Sequence, residues 1–215
     1  MINIIIDCKD QLYRQGIELM IANILHLTSS KKLTFSSKLD SGAIEKADIL
    51  VKYFSAGEEY ICQPVFLERK KQSLVIGLYD GGDEHFAYLP QCIEDIVFIN
   101  CNKPLNEVVD LIQNGWQRCQ TETHSPRVVN CQNCRHRTLS AQQIKVASYI
   151  HAGIDVRLIA EHLNITPKTV CAHKRMIMMK FNLKNDKELI TLLSIIKQNE
   201  TSQHLNYSAD RRIYG

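Results

Sequence analysis

The chain has 215 residues, of which 45% are hydrophobic and 23% are charged, and this composition is typical of a globular protein. No apolar run approaches the roughly 18–20 residues that a membrane-spanning helix requires. The first residues reach Asp7 early and lack the basic start of a signal peptide. We therefore expect a cytoplasmic protein that does not bind membranes and that has one large domain or two small ones.

The net charge of +3 is unevenly distributed along the chain. Residues 1–118 contain 12 Lys and Arg against 16 Asp and Glu, which gives −4. Residues 119–215 contain 14 Lys and Arg against 7 Asp and Glu, which gives +7. Such an asymmetry is typical of an acidic or neutral domain joined to a domain that binds a polyanion.

The first half of the sequence alternates short apolar runs with helical patterns. The runs predict strands at 3–6, 49–51, 74–76 and 96–99, and the periodic segments predict helices at 11–27 and 104–119. This alternation predicts an α/β domain at 1–118, with a flavodoxin-like parallel sheet that is covered on both faces. The elements of residues 28–47 and 52–72 are not predicted, because these segments are polar and mixed.

The second half is purely helical after a predicted linker at 119–137, which has little apolar periodicity. The predicted helices begin at N-capping residues, which are Ser140 with Gln143 in a capping box, Asp155, Thr166 followed by Pro167, and Asn185. We predict a four-helix domain at 138–198 and a flexible tail at 199–215.

The predicted third helix, Thr166–Phe181, is strongly basic, and residues 166–184 include no acid. The small residues Cys171 and Ala172 allow its backbone to approach base edges, while Lys174 and Arg175 can reach a guanine or a phosphate. Free N–H groups near Thr166 and Thr169 can bind a phosphate. Together with the short helix and tight turn before it, this pattern predicts a helix-turn-helix in the major groove of double-stranded DNA. A solvated basic helix without such a ligand is the alternative.

Residues 138–198 resemble the LuxR/FixJ-type (NarL-like) DNA-binding domain. The matching positions are Leu139–Gln143, Gly153, Ile159, Ala160, Leu163, Ile165, Thr166, Thr169, Val170, His173, Lys180 and Phe181. Gln143 departs from the family's pattern, in which a Glu is usual. The resemblance implies a scaffolding helix at 155–163 and a recognition helix at 166–181.

The same resemblance implies which side chains contact DNA. The implied contacts are Lys168, Thr169, Cys171, Ala172, His173 and Arg175, with Lys174 and Lys180 as candidates for phosphate contacts. His173 is alternatively a packed residue that orients the helix, and Cys171 is alternatively a small spacer.

The first half resembles a response-regulator receiver, on Ile4–Asp7, Asp48–Val51 and Ile93–Phe98 followed by the helix at 104–116. Phosphoryl transfer in a receiver needs an acidic pair for Mg²⁺, an acceptor Asp and a Lys. The acidic pair is here Asp7–Cys8, or Cys8–Lys9 in the neighbouring register. The acceptor position falls within Lys52–Phe54 and the lysine position on Ile99 or Asn100. We therefore predict a degenerate receiver without a phosphorylation site, in which Asp7 is a strand-end cap.

Residues 168–186 especially resemble the Rcs capsule-regulator branch, which includes auxiliary proteins with degenerate receivers that form heterodimers with a phosphorylatable partner. The resemblance implies a phosphorylation-independent transcription regulator that acts as a homodimer or as a heterodimer with a response regulator. Such dimers bind two-fold or pseudo-two-fold operators. A true phosphorylated response regulator is the alternative, and it requires an acceptor carboxylate.

Eight cysteines occur, at positions 8, 62, 92, 101, 119, 131, 134 and 171. Cys131 and Cys134 have zinc-knuckle spacing and His136 lies nearby, but a tetrahedral zinc site needs four ligands and a second pair with this spacing is missing. We therefore expect no metal and no cofactor, with a metal- or thiol-responsive regulator sensing through Cys131 and Cys134 as the alternative. No Gly-rich phosphate loop, nucleophile elbow or HExxH pair occurs, so we do not expect an enzyme.

Overall fold

The computed structural model describes residues 1–8, 10–28, 31–37, 39–81, 89–93, 95–121, 134 and 136–210. The chain divides into two compact units. The first unit comprises Met1–Phe54 and Cys62–His136, and the second unit comprises Ser55–Ile61 and Arg137–Gly215. A short segment between two parts of the first unit therefore belongs to the second.

The first unit contains a parallel sheet of five strands in the order β2-β1-β3-β4-β5. The strands are β1 (Ile2–Asp7), β2 (Leu33–Ser36), β3 (Ile49–Phe54), β4 (Leu74–Tyr79) and β5 (Val97–Asn100). The helices of this unit are α1 (Gln11–Thr28), α2 (Ser41–Ile44) and α3 (Leu105–Thr121), with a 3-10 helix at Pro64–Glu68. This strand order is that of the flavodoxin-like doubly wound fold, so the predicted fold class is confirmed.

Both faces of the sheet are buried, because successive strand residues point to opposite sides. Ile4 and Ile6 of β1 pack on the face that is covered by α1 and α3. Ile5 of β1 packs on the other face, with Phe54 at the end of β3 and Phe66 of the 3-10 helix. These two apolar layers explain why the strands are near-continuous aliphatic runs.

The four predicted strands and two predicted helices of this unit are confirmed. β2 and α2 lie within residues 28–47, for which no element was predicted. β2 is at the edge of the sheet and pairs with β1 alone. Its residues alternate between half-buried and exposed, so it lacks the aliphatic run by which the inner strands are recognised.

The second unit contains α4 (Ala141–His151), α5 (Val156–Leu163), α6 (Pro167–Lys180) and α7 (Asp186–Asp210). The predicted caps are present. Ser140 and Gln143 form a reciprocal capping box, Asp155 accepts from the backbone of Arg157, and Thr166 accepts from the backbone of Thr169. Gly153 ends the first of these helices at a φ of 76°, in the left-handed region that favours glycine.

Two features of the second unit differ from the predicted boundaries. α7 continues to Asp210, where the sequence predicts a flexible tail from residue 199. The segment Ser55–Ile61, predicted to lie in the α/β domain, contributes Tyr60 and Ile61 to a core with Ile177 and Phe181. Among the helices of the described residues, none has the length and apolar character to cross a membrane.

Candidate nucleic-acid interface

The N-terminus of α6 is fixed by two threonines. The hydroxyl oxygen of Thr166 accepts a hydrogen bond from the backbone N–H of Thr169 at 3.1 Å, and the two hydroxyl groups are 2.8 Å apart. Pro167 occupies the first turn, where a missing N–H has no cost. The N–H of Thr169 is thus used inside the cap, and the two hydroxyl groups are polar atoms that this end presents.

The turn between α5 and α6 is tight because Asn164 adopts left-handed backbone angles, with a φ of 51°. Its conformation lets the N–H of Ile165 donate to the carbonyl oxygen of Ala160 at 3.0 Å. Ile159 and Ala160 of α5 pack with Val170 of α6 in one small core. The two helices are therefore held together in a helix-turn-helix.

One side of α6 is buried and the opposite side is exposed. Val170, Ile177 and Phe181 are fully buried, which confirms the predicted packed face. The exposed stripe consists of Lys168, Cys171, Ala172, Arg175 and Met179. At 3.6 residues per turn, these five positions fall within about 100° around the helix axis. Four of the predicted DNA-contacting residues are thus brought together on one accessible surface.

The exposed stripe carries two cations, with Lys168 at its N-terminal end and Arg175 near its middle. Lys168 and Arg175 are exposed and make no ion pair with any residue in the described part of the chain. Cys171 and Ala172 lie between them and add little volume. The stripe therefore offers two long cationic side chains flanking a shallow, small-residue surface, which is the shape that a groove edge can approach.

Lys174 is placed differently from the other basic residues of α6. Its ammonium group forms a 2.6 Å ion pair with the carboxylate of Asp186 at the start of α7. Its side chain is 27% exposed, whereas that of Asp186 is 66% exposed. A phosphate contact from Lys174 would have to replace this ion pair.

Lys180 also has an intramolecular role. Its ammonium group donates a 2.6 Å hydrogen bond to the carbonyl oxygen of Thr138, just before α4. The guanidinium of Arg137 donates in turn to the carbonyl oxygen of Lys180. These two bonds tie the C-terminal end of α6 to the chain that enters α4.

His173 is half-buried beside the exposed stripe. Its Nδ1 atom is buried and has no hydrogen-bond partner among the described residues. The contact of His173 with DNA stays a prediction, as does its alternative role as a packed residue.

At the carboxyl end of β3, Lys52 and Tyr53 lie where the sequence comparison with a receiver predicts the acceptor position. At the end of β3, the ammonium of Lys52 lies 3.7 Å from the carboxylate of Asp7, and the hydroxyl of Tyr53 donates to Asp80 at 2.5 Å. Burial, followed by the bond to Asp80, raises the pKa of Tyr53. β3 therefore ends in a cation and a neutral phenol, and it carries no carboxylate. Lys103, which follows β5 and is a displaced candidate for the lysine of a receiver, pairs with Glu107 on α3 at 3.0 Å.

The candidate metal ligands do not form a metal site within the described residues. Cys131 lies outside them, whereas Cys134 and His136 are half-buried. Within the described part of the chain, no group of three or more His, Cys, Asp or Glu residues is arranged to hold a metal ion.

Sequence reasoning missed two residues that control the basic surface. Asp186 neutralises Lys174, and Arg137 anchors the end of α6. Asp186 could have been suspected as the first acid after a long acid-free segment. The contact of Arg137 has no local signal, because its partner is far away in the sequence.

Comparison with known proteins agrees with this geometry. Residues 137–193 match the sequence profile of the family described as bacterial regulatory proteins, luxR family (GerE). RcsB from Salmonella enterica serovar Typhimurium, solved bound to a promoter, has a TM-score of 0.52 at 19% identity, over 91% of this chain and 98% of that one. A structure of two RcsB dimers bound to two parallel DNAs has a TM-score of 0.52 at 20% identity, over 90% of this chain and 98% of that one. No curated protein sequence matches the chain.

The two RcsB structures share the fold, and the family profile identifies the helical domain. The helical domain of this chain therefore matches the profile of the luxR family of bacterial regulatory proteins over residues 137–193, and it is preceded in sequence by an α/β domain.

Proposed function

We propose that this chain is a sequence-specific DNA-binding transcription regulator whose helix α6 enters the major groove. The observation that carries the proposal is the exposed stripe on α6, where Lys168 and Arg175 flank Cys171 and Ala172. An α-helix fits the major groove, and small residues at its centre let the backbone come close to the base edges.

Arg175 is the base-reading residue in this proposal. Its guanidinium lies at the middle of the exposed stripe and is not used in an ion pair among the described residues. Arginine binds the O6 and N7 atoms of guanine with two parallel hydrogen bonds, so it specifies a base rather than a phosphate. Lys168 and the hydroxyl groups of Thr166 and Thr169 lie at the helix N-terminus, where they would bind a phosphate.

Lys174 and Lys180 have secondary roles in the proposed complex. Lys174 is held by Asp186 and would bind a phosphate only where this ion pair is broken. Lys180 would act mainly by holding α6 against the start of α4 through Thr138.

Control of this regulator does not require phosphorylation in our proposal. An aspartyl phosphate needs a carboxylate at the end of β3, and Lys52 and Tyr53 stand there. The ion pair to Asp7 also engages the acid that remains of the Mg²⁺ site. The first unit would therefore act as a structural and partner-binding domain.

We further propose that the chain binds DNA as a homodimer or as a heterodimer with a response regulator. Two-fold symmetric partners place two recognition helices in successive major grooves, which doubles the contact surface on one face of the duplex. RcsB has been solved as two dimers bound to two parallel DNAs. The fold that this chain shares with RcsB supports the proposal that this chain also binds DNA as a dimer.

The DNA-binding proposal is tested by selection of bound duplexes from fragmented genomic DNA, followed by titration of the enriched sequence. Arg175→Ala should weaken binding to that sequence by about 1–3 kcal/mol and relax preference at one position. Lys145→Ala, which removes an exposed cation from α4, is the matched control. Equal binding by the wild type and by a Lys174/Arg175 double alanine variant would refute the assignment of α6.

Phosphorylation independence and dimer formation need separate experiments. Incubation with acetyl phosphate and Mg²⁺ should leave the intact mass unchanged, whereas a gain of about 80 Da that Asp7→Asn removes would contradict the proposal. Light scattering of the chain with and without a purified response regulator, in the presence of the selected duplex, should show two subunits per site. A monomer on DNA in both mixtures would refute the dimer.

A further inference from the structure

Two cysteines of the first unit that are far apart in sequence lie in contact. Cys92 is 1% exposed and lies in the turn before β5, packed in the apolar layer with Phe54 and Ile93. Cys62 is half-buried at the border of the same layer. The two cysteines are neighbours, because the Sγ atom of Cys92 lies 3.2 Å from the backbone nitrogen of Gln63, the residue that follows Cys62.

The surroundings of Cys92 stabilise negative charge on its sulfur. The backbone N–H of Gln63 donates to the Sγ atom of Cys92 at 3.2 Å. The side chain of Arg69 is 5% exposed, pairs with Asp95 through Nη2 at 2.5 Å, and has a buried Nη1 without a hydrogen-bond partner among the described residues. A buried guanidinium that is incompletely paired favours an anion nearby.

These groups change the acidity of the pair. The pKa of Cys92 is lowered to about 7, chiefly by the hydrogen bond from Cys62 and further by the backbone N–H of Gln63 and the charge of Arg69. Burial acts in the opposite direction and raises the pKa. A thiolate is therefore substantially populated near neutral pH, and reaction with oxidants proceeds through the thiolate. Because Cys62 is the donor of this hydrogen bond, the negative charge resides on the sulfur of Cys92.

We propose that Cys62 and Cys92 form a reversible redox pair, which a peroxide closes to a disulfide and a thiol reductant opens again. This site is independent of the DNA-binding surface on α6. It also differs from Cys131 and Cys134, whose spacing first suggested thiol chemistry.

The reaction balances in two steps. The Cys92 thiolate attacks one oxygen of hydrogen peroxide, the O–O bond breaks, and Cys92 sulfenic acid and hydroxide form. Hydroxide takes the proton of Cys62, and the resulting thiolate attacks the sulfur of Cys92, forming the S–S bond and releasing a second hydroxide. In sum, one thiolate, one thiol and one peroxide give one disulfide, one water and one hydroxide.

The other described cysteines lack this combination of features. Cys171 is exposed on α6 and has no neighbouring thiol. The thiol of Cys119 donates a hydrogen bond to the carbonyl oxygen of Ser73, and this bond keeps the thiol protonated. Burial raises the pKa of Cys101. Peroxide should therefore couple Cys62 to Cys92 in preference to any other pair of these thiols.

The test treats the reduced full-length chain with graded hydrogen peroxide, alkylates the remaining thiols and maps the peptides by mass spectrometry. We expect a Cys62–Cys92 crosslinked peptide, about 2 Da lighter than its reduced halves, that dithiothreitol reverses. Cys134→Ser should form the same crosslink. Oxidation of Cys171 while Cys62 and Cys92 both remain alkylatable would overturn the proposal, and so would a crosslink of either residue to a different cysteine.

A second measurement does not depend on disulfide closure. The rate of alkylation of Cys92 should rise with a midpoint near pH 7 in the wild type, because the thiolate is the reacting form. Cys62→Ala removes the hydrogen-bond donor, so it should move the midpoint of Cys92 upward and let the Cys92 sulfenic acid be trapped by dimedone. Identical profiles of Cys92 in the two proteins would show that Cys62 does not activate Cys92.

Discussion

The guanidinium of Arg137 lies flat on the ring of Tyr60, with its central carbon 3.3 Å from the ring centroid. The backbone N–H of Arg137 also donates to the carbonyl oxygen of Tyr60 at 2.8 Å. Tyr60 is 5% exposed, and its neighbour Ile61 is buried in the same core. The second unit therefore includes the segment Ser55–Ile61, which comes from a distant part of the sequence.

Arg137→Ala should destabilise the second unit by about 2–4 kcal/mol. The variant loses a largely desolvated cation–π contact and the charged hydrogen bond to the carbonyl oxygen of Lys180, each of which contributes about 1.5–2 kcal/mol or more. Urea unfolding followed by far-UV circular dichroism measures the loss. Arg137→Lys keeps the positive charge but lacks the planar guanidinium, so its stability should lie between those of the wild type and the alanine variant. A loss below about 0.5 kcal/mol in the alanine variant would show that the stacking carries no stability.

Gly57→Ala should also destabilise this unit, by about 2–5 kcal/mol. Gly57 has a φ of 81°, and an added Cβ would lie 2.9 Å from a methyl group of Leu183 and 3.1 Å from one of Leu192. The cost combines about 1–2 kcal/mol for the left-handed backbone with about 1–3 kcal/mol for overpacking. Thermal unfolding measures both contributions together.

Gly153→Ala is the matched control for this substitution. Gly153 has a similar φ of 76°, but nothing lies within 4 Å of the position where its Cβ would be. Its variant should lose the backbone contribution alone, about 1–2 kcal/mol. If both variants lost the same stability, the packing of Ser55–Ile61 against Leu183 and Leu192 would not contribute.

Local patterns explain what the sequence predicts well in this chain. The strand Ile4–Ile6 is recognisable because both sheet faces are apolar, and the start of α6 is recognisable because Thr166 and Pro167 have cap chemistry that acts over three residues. The buried face of α6 follows from helical periodicity alone. These features need no knowledge of distant partners.

Long-range contacts explain what the sequence does not predict. Ser55–Ile61 has no distinctive pattern, and its place in the second unit is determined by contacts with Phe181, Leu183 and Leu192. The contact of Cys62 with Cys92 and the ion pair of Lys174 with Asp186 similarly depend on how the chain is folded. Helical periodicity predicts that Lys168 and Arg175 are exposed, as they are, but it does not predict that Lys174 and Lys180 are half-buried and bonded within the chain.

Lys180→Ala should weaken binding to every duplex and lower stability at the same time. The ammonium of Lys180 holds the carbonyl oxygen of Thr138, so its removal loosens the end of α6 by about 1.5–3 kcal/mol. Lys184→Ala removes an equally charged, exposed side chain nearby and is the control for the loss of one cation. Unfolding and DNA titrations on both variants separate the two effects. If Lys180→Ala kept wild-type stability and lost affinity only, Lys180 would be a phosphate contact and not a structural tie.

Asp186→Asn should strengthen DNA binding by a factor of about two to five. The substitution removes the carboxylate that holds Lys174 at 2.6 Å, and an exposed ion pair of this kind contributes about 0.2–1 kcal/mol. The freed ammonium would then neutralise one more phosphate, so the logarithm of the binding constant should fall more steeply with the logarithm of salt concentration, by close to one additional unit of slope. Titrations of a fluorescent duplex at several salt concentrations measure both quantities.

Glu161→Gln removes an exposed acid from α5 and controls for the change in net charge, because it should raise affinity without the added slope. An unchanged slope in Asp186→Asn would place Lys174 away from the DNA backbone and leave Lys168 and Arg175 as the cations of α6 that face the duplex.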